Sequence, residues 1–192
     1  MRQPVRTPMK TALTVLLVLL MLGGLEAGNR YLAIRADLRA QRDQAMEEWS
    51  HVGEALEHRA TLVSDLASHR GLAATAPAPV HDISDARKVL ASQSGPQEKL
   101  TANERLSSAL SQLMTIASSD HRLQSDPAFS QWKDELAKCE NEVALARSRY
   151  NRMLEKYNAR LQEFPDSLVA SMAGFHRDDA YFHTTEAADT KR

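Results

Sequence analysis

One cysteine, seven glycines, seven prolines, two Trp, four Tyr and four Phe are a sparse supply of hairpin, staple and ring chemistry for 192 residues. A lone cysteine makes neither an intramolecular disulfide nor a multi-cysteine zinc site, which excludes a disulfide-stapled secreted scaffold. Charge of one sign is also lacking, because 24 Lys+Arg stand against 25 Asp+Glu for a net charge of −1. So balanced a chain has no global electrostatic reason to coat phosphates, and no nucleic-acid partner is expected. The sequence holds no Gly-rich phosphate loop, no His-Glu-x-x-His pattern and no nucleophile elbow. No catalytic, cofactor-binding or metal-ligating set is therefore read from it, and no enzymatic activity is expected. What remains is one domain's length of chain, rich in Ala, Leu, Glu, Arg, Gln and Ser and poor in β-branched residues. This is the composition of helices rather than sheets.

One long apolar run stands out. Arg2, Arg6 and Lys10 precede an uncharged stretch from Thr11 to Leu25. Fifteen helical residues rise about 22 Å, short of the roughly 30 Å hydrocarbon core of a bilayer. A cleaved secretory signal has such a start and length, but it also needs small residues at its cleavage site. The best place for one, Leu25-Glu26-Ala27, has a bulky residue and a charge instead. The favoured reading is an uncleaved signal anchor over residues 11–27, with Lys10 and Glu26 reaching the interfaces. Four arginines follow the span, at 30, 35, 39 and 42, so the charge rule gives no decisive orientation. The short basic start favours an inner-membrane, single-pass protein with residues 28–192 on the extracytoplasmic, periplasmic side.

Beyond the anchor the pattern is helical. Trp49, Val52, Leu56, Val63 and Leu66 recur at three-to-four spacing and predict one helix over 28–70. Pro77 and Pro79 predict a linker over 73–79, followed by a short helix over 82–93. Pro96 then suits the first turn of a helix with Leu106, Leu110, Leu113 and Ala117 on one stripe, ending near Ser119. Asp126-Pro127 opens the most regular helix, with Phe129, Trp132, Leu136, Cys139, Val143, Ala146, Tyr150, Met153 and Tyr157 in a coiled-coil-like seam that drifts to Phe164. Similar segment lengths suggest an all-α fold, an elongated antiparallel bundle of three to four helices over 28–165. Residues 1–10 form a basic tail. Residues 166–192 are an apolar segment with a turn at Ala173-Gly174 and a polar, disordered end.

The run Glu140-Asn141-Glu142-Val143-Ala144-Leu145-Ala146-Arg147-Ser148-Arg149-Tyr150-Asn151 is followed by Tyr157-Asn158, Phe164-Pro165 and Gly174-Phe175. This pattern resembles the carboxy-terminal signature of the LemA family. Pro127-Ala128-Phe129, Trp132, Asp85-Ala86-Arg87 and the stretch 106–113 resemble its earlier helices. The chain departs from the family at His58-Arg59-Ala60-Thr61-Leu62-Val63-Ser64-Asp65-Leu66 and at the loop over 72–80. The resemblance implies a single-pass membrane protein with a helical domain and no particular reaction.

Three smaller features have chemical potential. Glu47/His51, Glu54/His58 and Asp65/His69 repeat an acid four residues before a histidine, a pattern of same-face ion pairs or of a weak metal- or pH-responsive site. Cys139 sits in the seam, where a buried thiol is not an activated nucleophile. Tyr150, Asn151, Tyr157 and Asn158 line the seam and its edge, either presenting polar groups to a partner helix or bonding across the bundle to fix its register. Together these readings describe a membrane-anchored interaction or scaffold protein of the cell envelope. It would bind lipid through residues 11–27 and an envelope protein, or a second copy of itself, through its exposed faces. The alternative is a sensor built on the acid/histidine stripe.

Overall fold

The computed structural model describes residues 8–68 and 74–179, with side chains from Ala12 onward. Among these residues there are helices, turns and short links but no strand, so the fold is all-α. The helices are α1 (Pro8–Ala67), α2 (Pro77–Leu90), α3 (Pro96–Ser119), α4 (His121–Gln124), α5 (Pro127–Arg160) and α6 (Asp166–Ala173).

The first departure from the sequence reading is that anchor and first domain helix are one element, with no break near residue 28. No proline lies inside α1 beyond its first residue, and the glycines at 23, 24 and 28 are tolerated because helical backbone bonds are satisfied within the segment whatever surrounds it. The second is at the prolines. Pro77 and Pro79 begin α2 instead of forming a linker, since the first amides of a helix have no intrahelical acceptor and proline there loses nothing. The remaining boundaries follow their caps. Pro96 starts α3, and the Asp126 carboxylate accepts the Ala128 amide at 2.9 Å at the head of α5. Asp120 caps the one-turn α4 by accepting from the amides of Arg122 and Leu123.

The described helices form two compact units. The larger takes α1 from Asp43, then α2, α3, α4 and α5 as far as Lys156. Within it α1 and α5 run antiparallel: Trp49 meets Tyr150, Arg59 meets Glu140, and the Trp132 indole N–H donates to the Leu62 carbonyl at 2.8 Å. Arg59 also meets Asn103, and Gly53 lies beside Lys99, so α3 runs parallel to α1. With α2 and α3 joined as a hairpin, this unit is an up-down-up-down four-helix bundle. Its core follows the expected stripes in part: Trp49, Trp132, Leu136, Ala146 and Met153 are only half-buried, and Leu154 rather than Met153 turns inward. Val52, Leu56, Ala60, Val63 and Leu66 of α1 are buried with Ile83 and Leu90 of α2, Leu106, Leu110, Leu113 and Ala117 of α3, and Phe129, Cys139, Val143 and Tyr150 of α5.

The smaller unit contains α1 up to Arg42, the end of α5 from Tyr157, and α6, continuing to Arg177. Here Arg160 bridges two carboxylates, Asp166 at the start of α6 and Asp37 of α1, the latter at 2.8 Å. Residues 157–165, assigned from sequence to the bundle, thus share a compact unit with the segment that follows them.

Candidate functional site

The eight residues singled out by the signature fall into the two units rather than into one pocket. In the larger unit Tyr150 is buried and Asn151 half-buried. The Tyr150 ring packs on Trp49 with centroids 5.3 Å apart and planes tilted by 56°. In the smaller unit Tyr157 and Asn158 are both buried, and the Tyr157 hydroxyl donates to the His176 carbonyl at 3.0 Å. That bond closes a loop of chain. Phe164-Pro165 turns the backbone through a cis peptide, Pro165 stands before the first residue of α6, and Gly174 ends α6 with φ 73°, a left-handed conformation suited to glycine. Phe175 then lies beneath the Arg42 guanidinium, 5.8 Å from its ring centroid. Tyr157, Asn158, Pro165, Gly174 and Phe175 therefore build a corner. Phe164 alone points outward, at 84% exposure.

Leu168 and Met172 share that outward character, four and eight residues after Phe164, and both are more than half exposed. Val169 and Ala170 bury the opposite face of α6. This eight-residue helix thus carries an exposed apolar side.

The densest polar chemistry lies elsewhere. Arg59, 5% exposed, donates its Nε–H to Glu140 at 2.7 Å and an Nη1–H to Asn103 at 2.9 Å. One guanidinium thereby joins α1, α5 and α3 inside the bundle. The planar fork of arginine suits this, since it can serve two acceptors in different directions. Arg147, close by on α5, has its pKa lowered by burial first and then by the like charge of Arg59, against the opposing pull of Glu140 and Glu104. The composition gave no hint of this network. Its one signal in the sequence is Arg59 itself, standing three residues after Leu56 and four before Val63, where the stripe calls for an apolar side chain.

The acid/histidine stripe of α1 is paired differently from the expected spacing. His51 Nδ1 lies 3.6 Å from Glu54, one turn ahead of it, rather than pairing with Glu47. His58 Nδ1 faces α5, 3.6 Å from Glu142 Oε2 and 3.7 Å from Cys139 Sγ. His69 lies outside the described residues. Antiparallel packing brings Cys139 and Glu142 of α5 to His58, which one-helix spacing cannot reveal. Burial raises the Cys139 thiol pKa, the nearby Glu142 and Glu140 raise it further, and Arg59 opposes them. A cavity of about 460 Å³ between α1 and α5 is lined by Glu48, His51, Glu54, His58, Glu142 and Arg149, among others.

Residues 48–192 match the family model described as LemA family. The chain belongs to the LemA family. No curated protein matches it. The LemA match begins at Glu48 and so takes in α2 to α6 and part of the second half of α1, while the apolar start of α1 lies outside it. Within that LemA region the signature residues serve the helix pairing of Trp49 with Tyr150 and the corner closed by Tyr157. The 18-residue apolar window of α1 is long and apolar enough to cross a membrane, and none of it is buried. A LemA protein with this helix is compatible with membrane anchoring.

Proposed function

We propose that this LemA protein is a membrane-anchored helical scaffold of the cell envelope, with its helical domain outside the cytoplasm and no reaction of its own. The observation that carries the reading is the apolar start of α1. Its large side chains from Leu13 to Leu25 are each 54–80% exposed, in a helix that continues unbroken into the folded domain. Burying that surface in lipid is the direct way to remove it from water. The outward face of α6, with Phe164, Leu168 and Met172, is the surface offered to an apolar segment of another envelope protein.

The test is photocrosslinking in intact membranes, with a photoreactive residue in place of Met172 on α6 and, as a comparison, of Glu54 on α1. A recurrent protein adduct at Met172, weaker or missing at Glu54, is the expected result. Adducts to lipid alone at both positions would overturn the scaffold reading. Adducts only to a second copy of the chain would replace the external partner with self-association.

A further inference from the structure

Side by side on α1 and α5 are two pairs of neighbours in the sequence, His58-Arg59 and Cys139-Glu140. The inner members, Arg59 and Glu140, are locked at 2.7 Å. That bond fixes the register of the two helices and so sets the distance between the outer members, His58 and Cys139. Glu142, one turn along from Cys139, completes a trio whose ligand atoms all lie within 4.8 Å of one another.

We propose that His58 Nδ1, Cys139 Sγ and Glu142 Oε2 bind one divalent cation of the zinc type, with a fourth coordination position open to the α1/α5 cavity. Bonds of about 2.3 Å to sulfur, 2.05 Å to nitrogen and 2.1 Å to oxygen, at tetrahedral angles, separate S from N by about 3.6 Å and N from O by about 3.4 Å. The observed separations are 3.7 Å and 3.6 Å. The second exceeds the roughly 2.7–3.2 Å of an ordinary N–H···O bond but suits two donors flanking an ion. The donor set also selects. Thiolate and imidazole favour zinc, cobalt or copper over magnesium and calcium, which take oxygen.

The balance of charge and access agrees. On binding, the Cys139 S–H bond breaks, its proton leaves to solvent, and the sulfur lone pair forms the bond to the ion. Imidazole and carboxylate donate lone pairs without other change. One thiolate and one carboxylate then neutralise the double positive charge. Cys139 is only 1% exposed, whereas the His58 and Glu142 side chains are 57% and 63% exposed. An ion therefore enters from the cavity side, and its sulfur ligand is shielded from water. This site is independent of the scaffold reading, since a partner is not needed to form it.

The test uses the untagged full chain in detergent, stripped with chelator and titrated with Co²⁺. A saturable near-ultraviolet thiolate-to-cobalt band at one equivalent, displaced by Zn²⁺, is expected. Cys139→Ser abolishes that band. His58→Gln and Glu142→Gln each weaken Zn²⁺ binding by more than roughly tenfold, because loss of a ligand costs at least as much as loss of its outer support. His81→Gln, on α2, leaves it unchanged. A wild-type titration without a saturable band overturns the site whether or not the variants fold, as does a band that survives Cys139→Ser.

Discussion

The two halves of α1 are one continuous helix in two different surroundings. From Leu13 to Leu25 every large apolar side chain is exposed within the protein. From Ala45 to Ala67 burial follows a three-to-four rhythm, with Val52, Leu56, Ala60 and Val63 at 0% exposure and, among the charged residues between them, only Arg59 drawn inside. An unbroken apolar run has no one face to turn inward, so it calls for apolar surroundings on all its sides at once. The striped half has one apolar face, which the other helices of the bundle cover. What a leucine contributes thus depends on which half it occupies.

The largest effect comes from making the first half behave like the second. Replacing Leu17 and Leu20 together with Asp places two charges in the centre of the apolar run, each opposing insertion by about 3 kcal/mol. Carbonate extraction and fractionation are expected to find the variant in the soluble fraction and the wild type in the pellet. A variant that still pellets would remove the lipid reading of residues 11–27.

Next is Leu56→Ala beside Leu20→Ala. The first opens a cavity among fully buried neighbours and is expected to cost about 3 kcal/mol. For a chain of this length that lowers the melting temperature by roughly 10 °C. Leu20→Ala removes the same atoms from an exposed position, and the melt in detergent stays where it was. Equal shifts from the two would show that the halves are not energetically distinct.

The contrast also explains what the sequence disclosed. Runs and stripes are local, so the all-α class, the start of α3 at Pro96, the start of α5 at Pro127 and the buried seam through Cys139, Val143 and Tyr150 were legible from spacing. Pro77 and Pro79 were misread because proline both breaks a helix and begins one, and only the placement of the chain tells which. The groups that converge across helices were hidden. Arg59 lies 44 residues from Asn103 and 81 from Glu140, and nothing within one helix connects them. The eight signature positions were found as a set, yet spacing could not show that Tyr157 closes a corner on His176 while Phe164 faces outward.

The smallest effects separate a charge inside the bundle from one on its surface. Arg59→Ala leaves the Asn103 amide buried without its donor and deprives Glu140 of its partner, an expected loss of about 2 kcal/mol. Arg59→Met, which keeps the stem's packing, is expected to recover part of it. On α2, Lys88 Nζ lies 2.8 Å from Asp85 Oδ1, and both side chains are more than half exposed. The hydrogen bond from Lys88 is the main cause holding the Asp85 carboxyl below its ordinary 3.8, with His81 adding to it. A carboxyl depressed in the folded state contributes stability that is present above its ordinary pKa and is lost as pH falls through the depressed one. Lys88→Ala should therefore bring the Asp85 titration, followed by NMR, back up toward 3.8, while the melting temperature at pH 7 scarcely moves because water and salt already screen the pair. A fall at pH 7 as large as that of Arg59→Ala would mean that burial does not decide what these ion pairs contribute.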